Sequence, residues 1–189
     1  MATGVAGVDA EWLLSRTYRG LSYRLGRLVF ERGRPQPEST THAVLGPGQS
    51  SVAVHVPRVG GRLDPGACDD SFARAQNFFP RHFQDNPVAF DCHSWLMDDQ
   101  LGHYLPATSN IIRFQRRFAF FNDNEPADHE ILALVFARRY DGPHVPGELL
   151  DELPQDTTLQ RAIVTHLHRG GHWHSRTGWC PLPMPARLC

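Results

Sequence analysis

In FDCHSWLMDDQ, residues 90 to 100, a cysteine, a histidine and a serine stand side by side as Cys92, His93 and Ser94. A thiol beside an imidazole is raw material for nucleophilic catalysis, because a base that accepts the thiol proton raises the thiolate content. The residues around them, 88 to 96, are apolar on both faces for much of their length, as in an interior strand. A strand sends neighbouring side chains to opposite sides, so Cys92 and Ser94 share one face and His93 takes the other. That excludes the simplest nucleophile and base pair within the triplet. A second imidazole stands in SVAVHVP, where Val52, Val54 and Val56 fall on one face at a period of two and Ala53 and His55 on the other. A histidine there can take a proton from an amine or hydroxyl near neutral pH. It can equally serve as a hydrogen-bonding group within the sheet.

Other candidates are read the same way. Asn110 either helps to cap a helix or offers its amide to a substrate carbonyl. His166, His168, His172 and His174 invite a metal reading, but His166 and His168 lie two apart on a predicted helix, nearly opposite, and no carboxylate completes the set. No metal is expected. The cysteines Cys68, Cys92, Cys180 and Cys189 form no CxxC pair, which suggests neither a zinc knuckle nor a disulfide framework and points to a reduced, cytoplasmic protein.

The elements that must position these residues follow from pattern. Asp9 begins a helical segment within residues 1 to 20. From Leu21, YRLGRLVFERG reads as a strand ending at glycine and proline, and residues 33 to 50 as a loop. SVAVHVP is the clearest strand, and Pro57 ends it. Asp64 followed by Pro65 is a helix start. Behind it Cys68, Phe72, Ala75 and Phe79 make an apolar stripe fit to pack on a sheet. Asp98 and Asp99 open a short helical turn that Pro106 ends, and Ser109-Asn110 caps a second helix. Strands are expected near 118 to 122 and 130 to 138, an irregular connection over 140 to 155, a helix from Asp156-Thr157 to Gly170-Gly171, and a last strand in HWHSRTGWC. The whole reads as one α/β domain around a single sheet.

Composition narrows the function. The chain has 189 residues, 41% of them hydrophobic, enough for one domain with a sizeable core. Its 19 basic residues are balanced by 20 acidic ones, so no electrostatic case exists for nucleic acid or an anionic membrane as partner. Every basic residue is arginine, which rules out Schiff-base chemistry and a lysine-based phosphate loop. No run approaches the roughly 20 apolar residues of a membrane helix, and no export signal opens the sequence.

The phrase CHSWLMDDQLGHYLPATSNIIRFQRRF, with SVAVHVP, DPGACDDSFARAQNFFPRHF, YRGLSYRLGRLVFERG and TTLQRAIVTHLHRGGHWHSRTGW, resembles the GNAT-like C-terminal domain of a family of bacterial acyltransferase-like proteins. Those relatives usually carry a helical N-terminal domain, so the chain is expected to be a stand-alone version, with a carrier protein or a helical partner domain as candidate partners and a homodimer as a further option. The resemblance implies a mixed central sheet with flanking helices and two parallel strands, 51 to 56 and 88 to 95, splayed to admit an acyl thioester. It implies His55 as catalytic base and Tyr104 as acid; Cys92 either meets His55 across the splay as a catalytic thiol or packs as the wall beside it. Ser94, Trp95 and Asn110 would line the substrate, and Arg58, Gly60, Gly61 and Arg62 the donor. One departure matters. The loop RVGGRLDPGA lacks the Q/R-x-x-G-x-G/A form, Asp64 occupies amides at the helix start and Pro65 supplies none, so weak CoA binding is expected.

The expected function is transfer of an acyl group from a thioester, CoA-borne or carrier-borne, to an amine of a small molecule, with no further cofactor required. A CoA-independent cyclisation, hydrolysis or rearrangement on the same scaffold stays open, as does a non-catalytic partner subunit.

Overall fold

The computed structural model describes residues 20–32, 49–84, 87–121, 124–142 and 144–183. The strands are β1 (Ser22–Leu25), β2 (Leu28–Arg32), β3 (Ser51–His55), β4 (Ala89–Ser94), β5 (Ala119–Phe120), β6 (Glu125–Pro126) and β7 (His174–Pro181). The helices are α1 (Pro65–His82), α2 (Asn110–Gln115), α3 (Asp128–Phe136), α4 (Gly147–Asp151) and α5 (Thr158–His168), with two 3₁₀ turns over Trp95–Met97 and Asp99–His103. The sheet runs β1-β2-β3-β4-β7-β5, and β6 also pairs with β7. The predicted helical segment in 1 to 20 and the loop at 33 to 50 fall almost wholly outside the described residues.

YRLGRLVFERG is a hairpin rather than one strand. Leu25 pairs with Leu28 across the two-residue turn Gly26-Arg27, and Gly26 has φ +83°, a backbone state that glycine enters without steric cost. A Cβ on Gly26 would also lie 2.8 Å from Ser71 Oγ of α1. Ser71 Oγ accepts from Arg27 N at 2.9 Å and donates to Ala67 O at 2.7 Å, riveting the turn to the helix.

The Asp64-Pro65 start holds as read: Asp64 Oδ1 accepts from Ala67 N at 3.1 Å, and Pro65 is the first helical residue. Cys68, Phe72, Ala75 and Phe79 are all buried against Phe30, Val52, Val54, Phe90 and Cys92 of the sheet. Aromatic packing is dense here, with the Phe72 and Phe90 rings 5.1 Å apart and those of Phe30 and Phe72 5.8 Å apart. Each such ring contributes about 1.5–3 kcal/mol on burial. Arg117 ties the start of α1 to the chain after α2, donating from Nε to Asp69 Oδ1 at 3.1 Å and from Nη2 to Pro65 O at 3.2 Å.

A second core gathers Trp95, Leu101, Ile131, Leu132, Leu150, Ile163, Leu167 and Trp173. The alternation along β7 puts Ser175 on the face opposite Gly178 and Cys180, and Ser175 Oγ donates to Glu130 of α3 at 2.9 Å. The predicted strand at 130 to 138 is therefore wrong: the segment is helix α3. A short apolar run is ambiguous by periodicity, and here Asp128 and Glu130 in the first turn suit a helix N-terminus. Ile131, Leu132 and Phe136 then share the buried side, and Ala137 closes the helix in the left-handed region. The irregular 140 to 155 contains α4. The last helix begins as expected, with a complete capping box between Thr157 and Gln160.

Candidate active site

β3 and β4 run parallel, paired as Ser51 with Ala89, Val52 with Phe90 and Ala53 with Asp91. There the ladder ends, although β3 continues to His55 and β4 to Ser94. Each strand keeps its outer neighbour instead: His55 stays opposite Val29 of β2, and Cys92, His93 and Ser94 stay opposite Gly178, Thr177 and Arg176 of β7. The parallel ladder therefore stops short of the C-terminal ends of the two central strands while both remain paired on their outer sides, the pattern expected of a splayed pair.

His55 ends β3 beyond the last β3–β4 pair, with its side chain 31% exposed and Nε2 3.3 Å from Glu31 Oε2. With Nε2–H donating to that carboxylate, the basic lone pair is on Nδ1. A carboxylate that fixes the tautomer of an imidazole also supports the positive charge formed when it accepts a proton. The registers set Glu31, Ala53 and Asp91 side by side across β2, β3 and β4 on the face that His55 shares. Burial pushes the Asp91 carboxyl above its usual range, against the opposing hydrogen bond with the Ser51 side chain and the charge of His93.

The remaining expected residues divide between other environments. Cys92 follows Phe90 on the α1 face, 2% exposed, so it points away from His55 and does not meet it. Burial, then Asp91 and Cys180, push its thiol far above the ordinary value. The same burial pushes Cys68 up to about 11 and Cys180 to about 12. These are packing thiols, not thiolates. His93 is on the His55 face, bonded from Nδ1 to Thr177 Oγ1 at 2.9 Å. Ser94 Oγ accepts from Leu96 N at 3.1 Å and so caps the first 3₁₀ turn. Trp95 is buried in the second core.

Tyr104 packs against that second core too, where its hydroxyl lies 3.0 Å from His166 Nδ1 while His166 Nε2 lies 3.2 Å from His172 O. His166 thus donates to a carbonyl and accepts from the phenol, and the geometry occupies Tyr104 within the core. Asn110 is the first helical residue of α2, and Ser109 supplies the cap by accepting from Ile112 N at 3.2 Å. Among the described residues, no three His, Cys, Asp or Glu side chains gather as metal ligands, and no helix is long and apolar enough to cross a membrane.

Arg58, Gly60, Gly61 and Arg62 are exposed on the loop between β3 and α1. Residues that the sequence reading passed over hold this loop. Arg27, 9% exposed, donates from Nη1 to Pro57 O and from Nε to Arg62 O, both at 3.0 Å. Arg24 Nη2 donates to Val59 O at 3.3 Å. Glu31, the partner of His55, was missed as well. Its signal was the period of two in LVFER, which sets Val29 and Glu31 opposite Phe30.

The family model for the GNAT-like C-terminal domain matches residues 22–180. The chain belongs to this family. Solved structures agree: an acyltransferase in complex with decanoyl-CoA and teicoplanin is 40% identical with a TM-score of 0.75, over 92% of this chain and 50% of that one. The same comparison with an acyltransferase bound to decanoyl-CoA gives 40% identity and a TM-score of 0.72, over 89% of this chain and 48% of that one. A complex with CoA and 10C-teicoplanin is 39% identical with a TM-score of 0.75 over 92% of this chain. The chain therefore spans about half the length of these acyltransferases. Curated proteins give no match. The chain is thus homologous to acyltransferases that bind acyl-CoA, and the GNAT-like fold expected from the resemblance is the one found.

Proposed function

We propose that this GNAT-like domain transfers an acyl group from acyl-CoA to an amine of a small molecule, with His55 as general base. The observation that carries the proposal is the end of the β3–β4 ladder at the Ala53 and Asp91 pair, with His55 just beyond it on β3, in a chain 40% identical to an acyltransferase holding decanoyl-CoA. The acceptor nitrogen attacks the thioester carbonyl, the C–N bond forms and the C–S bond breaks. His55 Nδ1 takes the nitrogen's proton, Glu31 supports the imidazolium, and the proton returns to the departing thiolate. Backbone amides in the cleft orient the carbonyl. Cys92 is the wall behind β4 in this scheme, and no acyl-cysteine forms. Arg58, Gly60, Gly61 and Arg62 carry the donor's anionic end, while Ser94, Trp95 and Asn110 shape the structure around the cleft.

One observation favours a second reading. The α1 cap is occupied by Asp64, and Pro65 has no amide to offer, which suits a donor held more by its pantetheine arm than by its pyrophosphate, including one borne on a carrier protein. Incubation with decanoyl-CoA and a panel of primary amines, followed by thiol titration and mass spectrometry, tests the proposal. One free thiol released per amide formed is the expected result. Absence of amine-dependent thiol release across acyl-CoA and carrier-borne donors would overturn it in favour of a non-catalytic partner subunit.

A further inference from the structure

Three carbonyls of the loop after β3 are turned toward the β1–β2 hairpin: Pro57 O and Arg62 O accept from Arg27, and Val59 O accepts from Arg24. In a planar trans peptide the carbonyl and the next residue's N–H point in opposite directions. Anchoring these carbonyls therefore aims the amides of Arg58, Gly60 and Leu63 away from the hairpin arginines. Gly60 has φ +114° and Gly61 φ +84°, backbone states that glycine enters without the steric cost of a Cβ, and they let the loop follow the path that its anchored carbonyls set. A Cβ on Gly60 would fall on the Arg24 guanidinium, so a side chain there would displace that arginine from Val59 O. The side chains of Arg58 and Arg62 extend from the same exposed loop. The helix behind it offers little in compensation, because Asp64 accepts from Ala67 N and Pro65 carries no N–H.

We infer that Arg27, assisted by Arg24, is a positioning residue for the acyl donor: without touching the donor, it holds loop 57–63 in the one shape that directs amides and arginines at the donor's phosphate groups. This rests on the proposed use of acyl-CoA and adds the residue that sets its affinity. The sequence separation is the reason it escapes a motif search, since the brace lies 30 and 35 residues before the carbonyls it holds.

Calorimetry with CoA and with pantetheine, which lacks the nucleotide and its phosphates, tests the inference on the wild type, Arg27→Lys and Arg24→Gln. Lysine keeps the charge and loses the planar fork that reaches two carbonyls. Arg27→Lys should weaken CoA binding about tenfold, the order expected when one hydrogen-bonded arrangement is lost, and leave pantetheine binding unchanged. Arg24→Gln should give the same selectivity with a smaller loss, and it decides the matter if Arg27→Lys fails to fold. Equal weakening of both ligands, as a merely structural role would give, overturns the inference, and so does unchanged CoA affinity or a wild type that binds no CoA. A wild type that binds CoA but releases no thiol with any amine refutes the proposed transfer and leaves the inference standing.

Discussion

Replacing His55 by alanine separates a catalytic imidazole from one that merely satisfies the sheet. The side chain is 31% exposed and bonds Glu31 at 3.3 Å, and the loss of that bond costs roughly 0.5–1.5 kcal/mol. For a chain of this length 1 kcal/mol moves Tm by about 2–4 °C. The melting point should therefore fall by less than about 6 °C on the same scale. Loss of a general base lowers the rate by about 10²- to 10⁴-fold. Thiol release from decanoyl-CoA with an accepted amine, measured beside a thermal melt, reads both quantities. Glu31→Gln keeps an oxygen acceptor for Nε2–H but loses the charge that supports the imidazolium. It should lower kcat by about tenfold, as for a weakened rather than deleted base, with little change in donor KM. Wild-type kcat/KM in His55→Ala would refute the reasoning. So would a loss of activity matched by unfolding at the assay temperature, since the side chain would then belong to the core.

Three further outcomes follow from the same geometry. Cys92→Ser puts a hydroxyl into the buried cluster that holds Phe90 and Cys180, and should cost about 1–3 kcal/mol of stability while folded enzyme keeps its turnover; loss of turnover at full stability would make the thiol a participant. Gly178, opposite Cys92 in the register, has room for no side chain: a Cβ would lie 2.5 Å from Met97 Cε and 2.8 Å from Phe118 Cβ. Gly178→Ala should cost about 1–3 kcal/mol in chemical denaturation, and a neutral effect would contradict the packing. Asp91 has a folded-state pKa raised above its unfolded value by burial, so its ionisation disfavours the fold. That penalty is absent below the unfolded pKa, grows as pH rises toward the folded one, and is complete above it. Asp91→Asn should thus gain stability over wild type as pH rises from acid to neutral, and a difference moving the other way in paired melts would reverse the sign.

Much of the frame was legible because its determinants are local. Asp64-Pro65 names its own helix start, and Cys68, Phe72, Ala75 and Phe79 point to the sheet whatever the topology. The valines of SVAVHVP fix the face of His55 by period alone. Readings failed where a non-local partner decides. ILALVF is apolar at every position, so period alone does not tell helix from strand, and Asp128 in the first turn is held by non-local partners, His172 Nδ1 and Trp173 N, both at 2.7 Å, across 44 and 45 residues. Placing Cys92 opposite His55 required the interstrand register as well as the alternation within each strand. The pairing of Val52 with Phe90 puts the even-numbered residues of both strands on one face, and that separates the thiol from the imidazole. Tyr104 was placed by its order along the chain, yet its hydroxyl is committed to His166, 62 residues away.

The hairpin links the two halves of the proposed chemistry. Glu31 on β2 orients the base, and Arg24 and Arg27, on and just after β1, shape the loop that follows the base along the chain. The tight Gly26-Arg27 turn sets the register of β1 on β2 and is fixed to α1 by Ser71, while the register of β2 on β3 aligns Glu31 with Ala53 and Val29 with His55. A one-residue slip would carry every side chain of the strand to the other face. Glu31 would leave His55 and the arginines would leave the loop carbonyls in the same event. Base orientation and donor affinity are therefore not independent properties of separate motifs. Both depend on one hairpin, which lies outside the segments that carry the histidine and cysteine candidates.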